Sequence, residues 1–129
     1  MNDIQIHDLK LAKSEILEQI FNINEGYNPF LGPLGNLDKL KELLKQSNYS
    51  VYLTNKEQIC AFSVCFRENS EYKSKNYKFF ENRFKKFFYI DRIGVVKTFK
   101  NKGIGTFIYK KISDICKKDK LPICAEVNI

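Results

Sequence analysis

The feature that most constrains this chain lies in its second half. Residues 87–96 read FFYIDRIGVV, an apolar run too short for a helix of its own and rich in β-branched and aromatic residues. A polar loop follows at 97–102. A helical stripe then begins at Gly103, with Ile104, Ile108, Ile112 and Ile115 on one face and Lys110, Lys111, Lys117 and Lys118 off it. Pro122 ends that helix, and residues 123–129 return to strand character. A strand, a helix and a strand in succession specify a parallel pair with a right-handed crossover.

The first half supplies the rest of a sheet and two helices. Ile4 and Ile6 alternate with polar neighbours as a short strand. From Asp8, a candidate N-cap, Leu9, Ala12, Ile16, Ile20 and Ile23 step by three or four, with Gly26 as a stop. Residues 27–35 (YNPFLGPLG) are too rich in Pro and Gly for regular structure. Leu37, Leu40 and Leu44 mark a second helix that ends near Ser47 and Asn48. Residues 51–54 and 58–67 form a hairpin about the turn at 55–57, with Cys60, Phe62, Val64 and Phe66 assigned to one face. A polar loop at 68–74 leads to Tyr77, Phe80 and Phe84 at helical spacing. The reading is one α+β (α/β) domain over 1–129, with a mixed central sheet and flanking helices.

Composition narrows the function. The net charge of +7 is carried by residues 70–129, which hold 15 Lys/Arg against 6 Asp/Glu. Such a balance points to an anionic partner: a nucleic acid, a membrane surface or a phosphorylated ligand. Only 3 of the 22 basic residues are Arg, and the Phe residues follow core periodicity, so a nucleic-acid module is disfavoured. No run approaches the roughly 20 apolar residues of a membrane helix. Residues 1–6 lack the basic-then-apolar pattern of a secretory signal. A cytoplasmic protein with no membrane partner is expected. Cys60, Cys65, Cys116 and Cys124 form no C-x-x-C pair, and the sole histidine, His7, is distant in sequence; the expectation is buried free thiols and no metal. Cys60 and Cys65, five apart, are expected on opposite faces of their strand.

The chemistry-bearing segment is Val95-Val96-Lys97-Thr98-Phe99-Lys100-Asn101-Lys102-Gly103-Ile104-Gly105-Thr106. A strand enters a polar loop, and the loop opens a helix with two glycines in its first turn. The first amides of a helix have no intrahelical acceptor, and the dipole places about half a positive charge there. Gly103 and Gly105 clear the approach of a phosphate, Lys100 and Lys102 add charge, and Asn101 tolerates a left-handed conformation. The segment lacks Gly-x-x-x-x-Gly-Lys-Ser/Thr, and Ile108 stands where a dinucleotide fingerprint needs its third small residue.

The pattern resembles the Gln/Arg-x-x-Gly-x-Gly/Ala motif of the GNAT superfamily of N-acetyltransferases. Val95, Phe99, Lys100, Gly103, Ile104 and Gly105 fill its places, and the element order agrees along the chain. The stretch from Tyr72, Ser74 and Asn76 through Phe80, Phe84 and residues 88–93, with 126–128 later, is similar to one bacterial branch of predicted acetyltransferases. Lys100 replaces the usual Arg or Gln, Asn101 a Gly and Lys97 a Pro; the lysine keeps the charge but loses planar bidentate contacts.

The resemblance implies acetyl transfer from acetyl-CoA to an amine, with no metal. It implies that residues 100–106 bind the pyrophosphate and that the backbone at Ile93 and Val95 binds the pantetheine arm as an added strand. Asp91 and Glu126 are then the candidate bases. The competing reading of each is a structural ion pair, for Asp91 with Arg92 or a loop lysine. Glu25, Tyr72 and Tyr89 are candidate substrate contacts, against a solvated loop residue for Glu25 and core filling for the rings. The family continues past its fifth strand with a helix and a hairpin, so residues 1–129 read as a domain lacking its C-terminal quarter, its last strand open to homodimer pairing. A non-catalytic acyl-CoA-binding or regulatory domain is the alternative.

Overall fold

The computed structural model describes residues 3–26 and 32–125. Five strands form one sheet in the order β1-β2-β3-β4-β5: Ile4–Asp8, Tyr49–Asn55, Gln58–Arg67, Phe88–Val95 and Ile123–Ala125. The first three pairings are antiparallel and β4–β5 is parallel. The helices are α1 (Ser14–Glu25), α2 (Leu37–Gln46), α3 (Lys75–Glu81) and α4 (Ile104–Asp119). The expected α+β order is therefore present, and β4 lies inside the sheet, as the apolar run at 87–96 requires.

The sheet is covered on both faces. On one, α1, α2 and α3 bury Leu9, Ile20, Leu40, Leu44 and Tyr77 against Phe62, Val64, Phe66 and Tyr89. On the other, the isoleucine stripe of α4 packs on Val51, Leu53, Cys65, Phe88 and Ile90. Ile104, Ile108 and Ile112 are buried, with Cys116 extending the stripe and Ile115 at its margin.

Four local expectations need correction. The stripe from Leu9 to Ile23 faces one core, but it is not one helix: Leu9–Leu11 form a 3-10 turn and α1 starts at Ser14. Asp8 caps that turn, accepting from the Lys10 amide at 2.9 Å, rather than capping α1. Gly26 ends α1 as expected, in right-handed geometry (φ −68°). Phe84 lies beyond α3 and is 39% exposed, because the helix stops at Glu81 once Tyr77 and Phe80 have reached the core. The last correction concerns Cys60. The β2–β3 register pairs Leu53 with Ala61 but Thr54 with Ile59, so Cys60 is an extra residue, a β-bulge. The bulge flips the side-chain phase. Cys60 joins Ala61 and Cys65 on the α4 face, away from Phe62, Val64 and Phe66. All four cysteines are free and buried.

One glycine here is fixed by close approach. A Cβ on Gly94 of β4 would sit 2.5 Å from Cε1 of Phe62, a ring with no exposed surface and no room to retreat. Gly94→Ala should destabilise the fold by about 1–3 kcal/mol, the cost of overpacking a close-packed core. Urea denaturation of the two proteins measures this directly, and equal midpoints would refute the packing argument.

Candidate functional site

A second bulge builds the site. Along β3–β4, Val64 pairs with Arg92 but Cys65 pairs with Ile90, so Asp91 is the extra residue. The side-chain phase of β4 flips there: Phe88 and Ile90 face α4, and beyond the bulge Ile93 and Val95 face it. Asp91 and Arg92, neighbours in sequence, both turn toward the α1 side. Among the described residues β4 pairs with β5 over Phe88, Tyr89 and Ile90. Past the bulge, the Val96 amide donates to Cys60 O at 2.9 Å. The alternation of an antiparallel ladder then turns the backbone groups of Arg92 and Gly94 toward β3, and those of Ile93 and Val95 toward β5.

That edge of β4 leads to the start of α4. Asn101 (φ 62°) and Gly103 (φ 79°) take left-handed conformations, which reverse the chain after the 3-10 turn Lys97–Phe99. Gly103 is the N-cap and has no side chain to accept the first amides. By contrast, Asn36 caps α2 and Ser74 caps α3 with their own side-chain oxygens. The first helical bond of α4 runs from the Phe107 amide to Gly103 O at 2.9 Å, leaving the amides of Ile104, Gly105 and Thr106 outside that ladder. A Cβ on Gly105 would meet nothing within 4 Å, so the space over this turn is open. The buried Ile104 side chain anchors the turn to the core. The Lys102 ammonium lies 5.6 Å from the centre of the Phe99 ring, and Lys100 is exposed on the same loop. The residues predicted to bind an anion are thus gathered into one open turn.

On the α1 side, the bulge feeds a polar network. Asp91 Oδ1 accepts from the Tyr72 hydroxyl at 2.9 Å, and Oδ2 accepts from Arg92 Nε at 3.1 Å. Arg92 Nη1 donates to Asn24 Oδ1 at 2.8 Å and to the carbonyl of Gly32. Asn24, fully buried, donates in turn to Glu25 Oε2 at 2.8 Å and to Gly32 O at 3.2 Å. Glu25 accepts from the amides of Leu34 and Gly35, both at 2.9 Å. Burial pushes the Glu25 carboxyl up. The two backbone amides, Asn24 and the charge of Arg92 outweigh it and hold the group below the usual glutamate range. Burial, then the charge and hydrogen bond of Asp91, push the Tyr72 phenol well up. The Tyr72 ring stacks on Phe66 with centroids 4.2 Å apart.

The network brings together Asp91, Tyr72 and Glu25, three of the predicted site residues. Glu25 is the last residue of α1 and a hydrogen-bonded anchor, not a solvated loop residue. Tyr89 is only 2% exposed, its ring between those of Tyr77 and Phe80. Glu126 lies outside the described residues. The sequence reading did not single out Asn24 or assign Arg92 a role of its own. Asn24 carried a signal, a polar side chain four residues after Ile20 on an apolar stripe. Arg92 was named only as an ion-pair partner of Asp91; its bonds to Asn24 and Gly32 carried no signal, since period-two alternation sends it to the other face of the strand. An open groove of about 580 Å³ between α1, the β2–β3 turn and Val96 includes none of these network residues.

The same architecture recurs in solved structures. A possible acetyltransferase from Clostridium difficile 630 superposes with a TM-score of 0.64 at 21% identity, over 97% of this chain and 80% of that one. The chain has the GNAT acetyltransferase fold. An aminoglycoside 6'-N-acetyltransferase from Acinetobacter baumannii gives 0.64 at 13% identity, over 98% of this chain and 80% of that one. A transcriptional regulator from Bacillus halodurans C-125 gives 0.66 at 16% identity, over 97% and 82%. No protein-family model and no curated protein matches the sequence. No helix among the described residues is long and apolar enough to cross a membrane.

A carboxyl held low in the folded state contributes stability that is complete above its unfolded value, about pH 4.3 for Glu, and is lost as pH falls through the folded value. Glu25→Gln should therefore be less stable by about 1 kcal/mol at pH 6, the loss of charge on two partly exposed hydrogen bonds. The difference should shrink as pH falls below about 4. Urea midpoints measured from pH 6 to pH 3 check this; a constant difference would contradict it.

Proposed function

We propose that the protein is an N-acetyltransferase that moves an acetyl group from acetyl-CoA to a primary amine by direct attack within a ternary complex. The observation that carries this reading is the bulge at Asp91. It turns a carboxylate to the face opposite α4, on a strand that leads into the uncapped start of α4.

In this reading the pyrophosphate sits on the amides of Ile104, Gly105 and Thr106, with Lys100, Asn101 and Lys102 beside it. The pantetheine arm pairs with the backbone of Ile93 and Val95. Its thioester then lies along β4 near Ile90, beside Asp91. Asp91 takes a proton from the acceptor ammonium. The free amine attacks the thioester carbonyl, the C–N bond forms, and the C–S bond breaks. The second amine proton ends on the CoA thiol, so the products are the acetamide and CoA. Tyr72 and Glu25 wall the acceptor side, with Tyr89 packed beneath them in the core. Glu126, the next residue in sequence after Ala125, is the second candidate base. The four buried free thiols fit a reducing cytoplasm.

A non-catalytic acyl-CoA-binding role is the second reading. Its support is that Asp91 is already held by Tyr72 and Arg92, as in a structural ion pair.

Calorimetric titration of acetyl-CoA, and thiol release with spermidine, kanamycin and a peptide with a free N-terminus, separate the two. Binding with thiol release supports transfer. Binding with a silent panel supports the second reading, and no binding refutes both. Gly105→Val should weaken acetyl-CoA binding at least tenfold, about 1.4 kcal/mol, with the fold unchanged. Asp91→Asn should lower turnover roughly a hundredfold or more and shift the rising limb of the pH–rate profile, with acetyl-CoA affinity kept. Turnover unaffected by both Asp91→Asn and Glu126→Gln would exclude both carboxylates as the base.

A further inference from the structure

We propose that Arg92 is the positioning residue of the acceptor side, holding residues 32–35 before α2 against the β4 bulge so that one guanidinium sets both the wall facing the amine and the carboxylate of Asp91. The inference rests on the acetyl-transfer reading and names a residue that reading did not need.

The guanidinium reaches three elements at once. Nε binds Asp91 in β4, while Nη1 binds Asn24 in α1 and the carbonyl of Gly32. The Arg92 and Asp91 side chains are 12% and 8% exposed, so the pair is largely removed from water. Asn24 passes the constraint on to Glu25 and again to Gly32 O. Glu25 then fixes the Leu34 and Gly35 amides. Residues 32–36 form no helix or strand. Three of the bonds that hold their backbone, at Gly32 O, Leu34 N and Gly35 N, go to this network.

A latch of this kind is a poor choice for stability alone. Desolvating the Arg92 guanidinium and the Asp91 carboxylate costs about as much as their attraction returns, and an apolar contact of similar volume would serve as well. What the charges add is geometry. A planar fork with fixed donor directions couples the position of the wall to the orientation of the carboxylate. A lysine supplies one charge on a flexible stem and cannot span Asp91, Asn24 and Gly32 together.

The test uses the full chain with acetyl-CoA and the best acceptor of the amine panel. Arg92→Gln should leave acetyl-CoA affinity within twofold of the parent. It should raise KM for the amine at least tenfold, lower kcat, and speed hydrogen exchange of the Leu34 and Gly35 amides at least tenfold. Arg92→Lys keeps a cation beside Asp91 and should also raise the amine KM, while leaving the rising limb of the pH–rate profile near that of the parent. Asn24→Ser, which cuts the wall but spares the Arg92–Asp91 pair, should raise KM with kcat little changed. It and Arg92→Lys serve as the readout if Arg92→Gln fails to fold. Faster exchange with an unchanged amine KM would reduce Arg92 to a merely structural role and overturn the proposal. A parent protein that binds no acetyl-CoA, or acetylates no amine, would overturn the functional reading itself.

Discussion

The extra residue at Asp91 is the constraint on which the rest of the site depends. A regular β4 would alternate Asp91 and Arg92 between faces. One inserted residue changes that. It places two charged side chains on the α1 face, where helix and loop carbonyls and carboxamides await them. It also shifts Ile93 and Val95 back onto α4, so the hydrophobic core closes beyond the bulge as well as before it. The fold tolerates the irregularity because Phe62 packs against Gly94 and fixes β4 immediately past it.

The buried network is costly, and its completeness offsets that cost. An unpaired charge at Asp91 would be strongly destabilising in this position. Instead, Asp91 receives a hydroxyl and a guanidinium, Asn24 uses both its acceptor and its donors, and Glu25 takes two backbone amides. A fully satisfied polar network rigidifies its surroundings, whereas a partly satisfied one destabilises them. The elements it joins, α1, β4 and the segment before α2, share little backbone pairing. Side-chain bonds therefore set their relative positions near the site.

Element order was legible in the sequence because each helix and strand carries its own period. The isoleucine stripe of α4, the run of β4 and the leucines of α2 each report burial locally. Phase was not legible wherever a bulge intervenes. Cys60 was assigned to the face of Phe62 because alternation holds only while the register holds, and no residue type marks either bulge; the Asp91–Arg92 ion pair was named as one reading of Asp91, but not the bulge that brings the two to one face. The anion turn was legible through Gly103 and Gly105, whose value is the absence of side chains. The network was only half legible. Asp91, Tyr72 and Glu25 stand out as polar groups, and Arg92 was named as a partner of Asp91, but Asn24 was not singled out and the reach of Arg92 to Asn24 and Gly32 was not foreseen.

Charge is divided between the two faces of the sheet. At the start of α4, Lys100 and Lys102 lie on the loop that leads into uncapped amides, and helix dipole and side chains add with one sign. Across the sheet, Asp91 and Glu25 are linked through one guanidinium, that of Arg92, directly at Asp91 and by way of Asn24 at Glu25. The excess of basic residues in the second half is thus not uniform in effect. Lysines and uncapped amides stand on one side of β4, and a paired carboxylate network stands on the other. Under the proposed acetyl transfer, the first side would receive the phosphates and the second the amine.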